Sequence, residues 1–472
     1  MPTLGAMKNL VAPPEFDPAL VARYDVAGPR YTSYPTVPQF TAEFGEAQLR
    51  AAIGASNEEP IPRPLSLYVH MPFCMSPCFY CGCNRVITRD MAKADQYLER
   101  LDREIELLAP LFDRDRPVQQ LHFGGGTPNF LDLPRMRELM GSLAWHFSFS
   151  QEAEREYGIE IDPRFADAAY VEGLAELGFN RLSVGVQDFD PPVQQAINRI
   201  QSVEQTREVI EAARAASFGS VSVDLIYGLP LQNLEGFTRT LDQVIALAPD
   251  RVAVYGYAHL PQIFKPQRQI DAAQLPDAAT RLALFGRALE RLCAAGYVYI
   301  GMDHFARFDD ELAVAQRAGT LQRNFQGYST HGDCDIVGLG ASAIGRVGDS
   351  YSQNARDLIG YYAALDAGHL PIVRGMQLDE DDLVRRELIG ELMCHGAVDK
   401  RAFGERHHLM FDVYFARERQ RLLPLLADGL VEEDAHRLQV TSRGRLLLRI
   451  IAMCFDAYLD DEAQAGRYSR VI

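Results

Sequence analysis

The residues best suited to chemistry fall within ten consecutive positions. Cys74, Cys78, Cys81 and Cys83 stand in YVHMPFCMSPCFYCGCN with the spacing Cys-x3-Cys-x2-Cys-x-Cys, while Cys293, Cys334, Cys394 and Cys454 are scattered. Thiolates are soft ligands that suit zinc or an iron–sulfur cluster. A structural zinc site needs four ligands, usually as two separated pairs. A second pair is missing here, and four cysteines so close together do not easily wrap one tetrahedral ion. Three thiolates on a short loop can instead hold three irons of a [4Fe–4S] cluster, leaving the fourth iron open to an exogenous chelating ligand. The scattered cysteines read as buried small hydrophobes rather than a disulfide framework.

Further along stands HFGGGTP, with Gly124, Gly125, Gly126, Thr127 and Pro128. Glycines let a backbone approach a ligand closely. A phosphate loop would continue into Gly-Lys-Ser/Thr, and Pro128–Asn129 does not. Isolated polar residues follow at the ends of apolar runs: Glu160 in GIEIDP, Gln187 in GVQDF, Arg199 in NRIQ and Asp224 in VDLIYG. Taken singly, a glycine turn is more often only a turn, and each polar residue more often a surface or capping group. On successive elements they form a series.

The elements that position these residues alternate regularly. Short β-rich runs occur at SLYVH (66–70), QQLHF (119–123), YGIEI (157–161), RLSVGV (181–186), SVSVDLI (220–226) and RVAVYGY (251–257), with amphipathic helical patterns between them. Such alternation implies βαβ units and a parallel sheet. Six repeats in about 200 residues suit a partial (β/α)6 TIM-like barrel, whose function gathers at the C-terminal ends of the strands. A further β-rich segment, YVYIGMDHFA, follows. The first 60 residues hold no long periodic element and read as an extended arm. Residues 61–375 form the catalytic domain, and 376–472 a mostly helical, winged-helix-like domain containing the β-like piece HRLQVT.

Composition sets outer limits. Apolar residues make up 47% and charged residues 24% of the 472, as in soluble globular proteins. No apolar run approaches the roughly 20 residues of a membrane helix, and MPTLGAMKNLVAPPEFDP lacks the features of a signal or transit peptide, so a cytoplasmic protein is expected. The net charge of −17 and pI near 5.1 argue against general affinity for nucleic acid or anionic membrane. An anionic substrate remains open, provided a pocket commits specific arginines to it. No long oligomerisation helix stands out, which points to a monomer.

The cysteine spacing resembles that of the radical S-adenosylmethionine (SAM) superfamily. The resemblance implies that Cys74, Cys78 and Cys81 hold a [4Fe–4S] cluster, with adenosylmethionine chelating the fourth iron and yielding a 5′-deoxyadenosyl radical. Cys83 would be a fourth, non-ligating cysteine. Over essentially the whole chain the sequence is similar to the oxygen-independent coproporphyrinogen III oxidase (coproporphyrinogen dehydrogenase) family: YDVAGPRYTSYPT in the arm, the cysteine loop, HFGGGTP, RLSVGVQDFD, DLIYGLP, YGYAHLP, GMDHFA, RNFQGYSTHGD, GLGASAIG and a C-terminal SRVI. That likeness implies oxidative decarboxylation of two propionates of coproporphyrinogen III to vinyl groups, giving protoporphyrinogen IX in anaerobic haem biosynthesis, with electrons from a donor the sequence does not identify.

By the same likeness, one adenosylmethionine would sit among Gly125, Gly126, Thr127, Glu160, Gln187, Arg199 and Asp224. A second would lie nearby. Tyr68, Tyr80, Ala258, Phe325, Gln326 and Ile344 match positions associated with the cofactor pair, undivided between its two members. Arg30 in the arm and Arg323 are candidates for substrate carboxylates, and Tyr31 and Tyr34 offer aromatic faces for a pyrrole. His304 could relay protons but reads more simply as structural, and His331 carries no role. The competing readings are a haem chaperone, whose relatives typically replace Cys83 by an aromatic residue and lack the PRYTSYPT arm, and another haem-modifying radical SAM relative such as a methyltransferase or ring-opening enzyme.

Overall fold

The structure, a computed structural model, describes residues 13–459, 468 and 470. Residues 1–12 of the arm, and Ser469, Val471 and Ile472 of the C-terminal SRVI, lie outside them. Its centre is a set of parallel strands: β1 (Leu65–Met71), β2 (Pro117–Gly125), β3 (Glu156–Ile161), β4 (Arg181–Gln187), β5 (Ser220–Tyr227) and β6 (Arg251–Gly256). They lie side by side in chain order. Between and after them run helices α1 (Met91–Leu108), α2 (Leu133–His146), α3 (Ala168–Glu176), α4 (Val203–Ala215), α5 (Leu234–Leu247) and α6 (Ala278–Ala294). The partial (β/α)6 barrel read from the sequence is therefore the observed core.

The local causes are plain in β1 and α1. Leu65, Leu67, Val69 and Met71 of β1 are at most 1% exposed, which places one face of the strand under the helices. Ser66 and Tyr68 alternate onto the inner face and pair with Gln120 and His122 of β2. Helix α1 starts at Asp90, whose carboxylate accepts from the Ala92 amide at 3.1 Å, a standard N-cap. Its buried stripe of Ala94, Tyr97, Leu101, Ile105 and Leu108 recurs at helical spacing and packs on the sheet.

Both edges of the six-strand set are covered. Beyond β6, His304–Arg307 pairs antiparallel with it and with Tyr297–Gly301, so the YVYIGMDHFA segment is a hairpin turning at Met302, whose φ is 55°. Beyond β1, Asp335–Leu339 pairs parallel, followed by antiparallel Ile344–Val347, Ser350–Asn354 and Ile372–Gln377.

The arm is less extended than the sequence implied. Glu46–Asn57 is a 12-residue helix. It buries only Leu49, Ile53 and Ser56, a stripe too short to register as periodicity. The C-terminal region holds helix α7 (Glu380–His395), three further helices between 400 and 427, and a three-stranded antiparallel sheet with Arg437–Val440 between Ala397–Asp399 and Val431–Glu433. The β-like piece is thus the central strand of a winged-helix-like arrangement. Tyr31 and Tyr34 of the arm are 5% and 2% exposed and belong to this C-terminal core. Among the described residues no helix is long and apolar enough to cross a membrane.

Candidate active site

The cysteine loop leaves β1 and crosses the C-terminal mouth of the barrel, tied down along its length. Phe73–Cys74 pairs parallel with Val86–Ile87. The amide of Phe79 donates to the Ile197 carbonyl at 2.9 Å, Asn198 Nδ2 to Pro77 O at 2.7 Å, and Gln267 Nε2 to Tyr80 O at 2.9 Å. Arg85 closes the loop from within, donating to the carbonyls of Cys78 (2.9 Å) and Cys81 (3.3 Å). Cys74 and Cys78 are buried, Cys81 half-buried and Cys83 exposed.

Donors already surround the sulfurs. Thr127 Oγ1 donates to Cys74 Sγ at 3.2 Å, the Cys83 amide to Cys81 Sγ at 3.4 Å, and Arg199 Nη1 and Arg164 Nη2 reach Cys78 Sγ at 3.6 and 3.8 Å. Contact with Cys83, assisted by Arg85 and Arg199, holds the Cys81 thiol down to about 6 despite its burial, whereas burial pushes Cys74 up to about 11. Outer-shell donors of this kind tune thiolate ligands, so the loop fits a thiolate-bound cluster.

The glycine turn fits under this loop for a steric reason. Gly125 has φ of +108°, and a Cβ there would lie 2.5 Å from the His70 ring. A Cβ on Gly126 would lie 2.8 Å from the Met71 carbonyl oxygen, which the Gly126 amide contacts at 2.8 Å. Only glycine lets β2 end beside the cysteines.

Successive strand ends then present the polar series. Glu160 Oε1 meets His122 Nε2 at 3.1 Å. Burial first, and the charge of Glu160 second, push Asp224 up to about 7, with Ser183 donating to it at 3.1 Å. Gln187 sits at φ +70° where β4 and β5 slip register, a left-handed conformation of the kind that clusters at functional sites. Arg199 pairs with Asp162 at 3.0 Å and donates to the Gly185 carbonyl at 2.6 Å. Burial opposes its charge, but Tyr80, Asp162 and Cys78 hold its pKa above the usual range. Its Nε is buried without a hydrogen-bond partner, a donor that suits a ligand carboxylate.

Two neighbouring cavities organise these residues. The first is walled by Cys74, Cys78, Cys81, Gly125, Gly126, Thr127, Glu160, Gln187, Arg199 and Asp224, and also by Tyr80. The second is walled by Tyr68, Phe325, Gln326 and Ile344 with His70, His122 and Ile336. Cys83, Gly125 and Glu160 line both. The six undivided positions therefore separate: four line the second cavity, Tyr80 the first, and Ala258 neither. The Ala258 carbonyl instead accepts from Gln267 at 3.1 Å.

Other expectations change. Tyr31 and Tyr34 are packed into the C-terminal core by partners of their own. Tyr31 donates to Asp456 at 2.9 Å, and the Tyr34 ring packs 6.1 Å from that of Tyr458, partners more than 400 residues away and invisible to local pattern. Arg30 is ion-paired to Asp303 and lies 5.7 Å from the Tyr255 ring centroid. His304 is held neutral, its pKa pushed down to about 3 by burial and then by Arg323, Arg30 and Arg251. His331 meets the Glu154 carbonyl at 2.9 Å, a structural contact. His70, His122, Asp162 and Arg164 were missed. The first two were legible: Ser66, Tyr68 and His70 alternate along β1 and Gln120, His122 and Gly124 along β2, and period 2 puts each set on one face.

A thiolate loop and a glycine turn at the C-terminal mouth of a parallel (β/α) barrel define a radical SAM enzyme. The Radical SAM superfamily model matches residues 68–244, and the HemN C-terminal domain model residues 378–447. The chain is 51% identical over 457 residues to the oxygen-independent coproporphyrinogen III oxidase of Pseudomonas aeruginosa, covering 97% of this chain and 99% of that one. It is 47% identical over 458 residues to the Escherichia coli enzyme of that name, with the same coverage. The solved structure of coproporphyrinogen III oxidase (HemN) from Escherichia coli, described as a radical SAM enzyme, superposes with a TM-score of 0.90 at 46% identity, covering 95% of this chain and 100% of that one. The chain belongs to the oxygen-independent coproporphyrinogen III oxidase family. Membership implies a [4Fe–4S] cluster and adenosylmethionine, which the donor set described above fits.

Proposed function

We propose that this protein converts two propionates of coproporphyrinogen III to vinyl groups, giving protoporphyrinogen IX without oxygen. One observation carries the reading: the first cavity gathers four cysteines, a glycine turn, an unpaired arginine donor and three carboxylates on one set of walls. Cys74, Cys78 and Cys81 would hold the cluster, and Gly125, Gly126, Thr127, Glu160, Gln187, Arg199, Asp224 and Tyr80 the adenosylmethionine. When bound, the pair would supply the one-electron radical chemistry that opens the propionate β-carbon to oxidative loss of carbon dioxide, the remaining electron passing to an external acceptor.

The chain's own part is placement. Arg199 Nε orients a carboxylate, Glu160 and Asp224 suit ribose hydroxyls and a cation, and the tied loop fixes the sulfurs. A second adenosylmethionine would occupy the cavity of Tyr68, Phe325, Gln326 and Ile344, next to the first across Cys83 and Glu160. Residues 61–375 would carry the chemistry, with the arm (1–60) and the region 376–472 closing it. The enzyme would work in the cytoplasm, as a monomer with an external electron donor. Anaerobic reconstitution with iron, sulfide and adenosylmethionine, followed by chromatography of the products from coproporphyrinogen III, tests this: protoporphyrinogen IX is expected, and its absence under full reduction would refute it.

A further inference from the structure

A third cavity lies under the arm, between Tyr31–Tyr34, the outer strands of the sheet and helix α7. Arg323, Arg346 and Arg386 line it, together with Thr32, Ser33 and Asn324, and no carboxylate does. Each guanidinium has buried nitrogen without a hydrogen-bond partner: Nε and Nη1 of Arg323, Nε of Arg346 and Nη1 of Arg386. Their Nη2 atoms are engaged. Arg323 donates to the Arg30 carbonyl at 3.3 Å, Arg346 to the carbonyls of Gly332 and Cys334 at 2.9 and 2.7 Å, and Arg386 faces Asp349 at 3.4 Å.

Buried donors left unpaired are unfavourable, and a guanidinium cannot escape by losing its proton. Burial makes the Arg346 charge harder to keep, and the nearby Arg386 adds to this. The complement such a set lacks is an anion with forked oxygen acceptors, for which arginine is the usual partner. Phe325 and Ile336 line both this cavity and the second one of the active site, so an anionic arm can arrive from the active-site side.

We infer that this cavity binds a carboxylate, and that the carboxylate is a propionate of the tetrapyrrole that is not itself decarboxylated. The carboxylate chemistry stands on the three arginines alone, while the propionate as its source rests on the function proposed above. The other source within reach is the methionine carboxylate of a second adenosylmethionine, and the two are separable. The Arg386→Gln variant is the main probe, because its other contact is a long one to Asp349, and Arg346→Gln is the second.

Full-length reconstituted protein would be titrated anaerobically with coproporphyrin III, the oxidised macrocycle carrying the same four propionates, following the Soret band. The uncharged tetramethyl ester is the control, and adenosylmethionine binding is measured by equilibrium dialysis. The expected result is tight binding of the acid, none of the ester, and at least tenfold weaker binding of the acid by each variant, with cluster absorption and adenosylmethionine stoichiometry unchanged. Unaltered acid affinity in both variants would overturn the inference. Lost adenosylmethionine binding with normal porphyrin affinity would overturn the propionate as source and assign the carboxylate to the cofactor. Failure of the unmodified protein to bind coproporphyrin III would instead remove the proposed function, and the propionate assignment with it.

Discussion

The two cofactor-sized cavities are built on opposite principles. The first is dense with charge, and its polar groups are already held by protein partners: Asp162 by Arg164 and Arg199 at 2.6 and 3.0 Å, Arg85 by loop carbonyls, Glu160 by His122. The second is walled largely by rings and aliphatic groups, with Tyr68 stacked on His122 at 5.9 Å and Gln326 donating to Ser66 at 3.4 Å. Preorganised charge suits a site that must fix reacting atoms closely. Apolar walls suit one that holds a ligand by contact and exclusion of water. The contrast teaches that one mouth of a barrel can present two neighbouring cavities of different character, and it can be broken by mutation.

The largest effect is expected at the cysteines. Cys78→Ala should abolish the broad visible absorption of the reconstituted protein, because three thiolates are the minimum for three irons. Cys83→Ala should keep it, because Cys83 lines both cavities but lies outside the proposed ligand set. An intact [4Fe–4S] complement in Cys78→Ala, by iron and sulfide analysis, would sink the assignment. Arg199→Ala comes next. A lost charge-assisted hydrogen bond costs roughly 1.5–3 kcal/mol, so adenosylmethionine should bind about ten- to hundredfold more weakly with no loss of iron. Unchanged affinity by equilibrium dialysis would remove Arg199 from the first site.

The same contrast explains what the sequence disclosed. Cys74 to Cys83, the glycine turn, Glu160, Gln187 and Asp224 sit on consecutive strand ends, so a strand–helix alternation read by eye places them together. The second cavity draws Tyr68 from β1, Phe325 and Gln326 from a hairpin far along the chain, and Ile344 from an inner strand paired with Asp335–Leu339 and Ser350–Asn354. No local spacing links them, and only family resemblance pointed there. The packing of Tyr31 and Tyr34 was hidden for the same reason: their partners Asp456 and Tyr458 lie at the other end of the chain. The arm helix Glu46–Asn57 was hidden by a stripe of three buried residues.

A smaller effect is expected on the apolar side. Phe325→Ala removes a ring that packs edge-on against Tyr351 at 5.6 Å and lines the second cavity. A ring contact of this kind is worth about 0.5–1.5 kcal/mol beyond its area. On the proposed two-molecule reading, adenosylmethionine stoichiometry should fall from two toward one at limiting concentration while the first site and the cluster are unaffected. Equal weakening of both sites would show that the cavities are not independent.

The smallest effect separates charge from shape within the first cavity. Asp224 is buried with Ser183 as its donor and Glu160 as an unfavourable neighbour, and its carboxyl titrates near 7 rather than 3.8. A carboxyl whose folded pKa is raised binds its proton more tightly in the folded state. The stability this contributes is complete below its unfolded pKa and is lost as pH rises from about 4 through about 7. His122 and Arg199 also face the carboxyl and favour its ionised form, which limits the loss. In the cluster-free protein, thermal unfolding should therefore show a lower melting temperature at pH 8 than at pH 5.5. Asp224→Asn should reduce that difference, because the amide keeps the shape of the protonated acid and never ionises. Glu104, pushed up to about 7 mainly by burial, loses stability over the same range, so the comparison must be made between variant and unmodified protein rather than read from one curve. If the two proteins lose the same number of degrees between pH 5.5 and 8, Asp224 is already ionised at the lower pH. The first cavity would then meet its ligand with the Asp224 carboxylate charged.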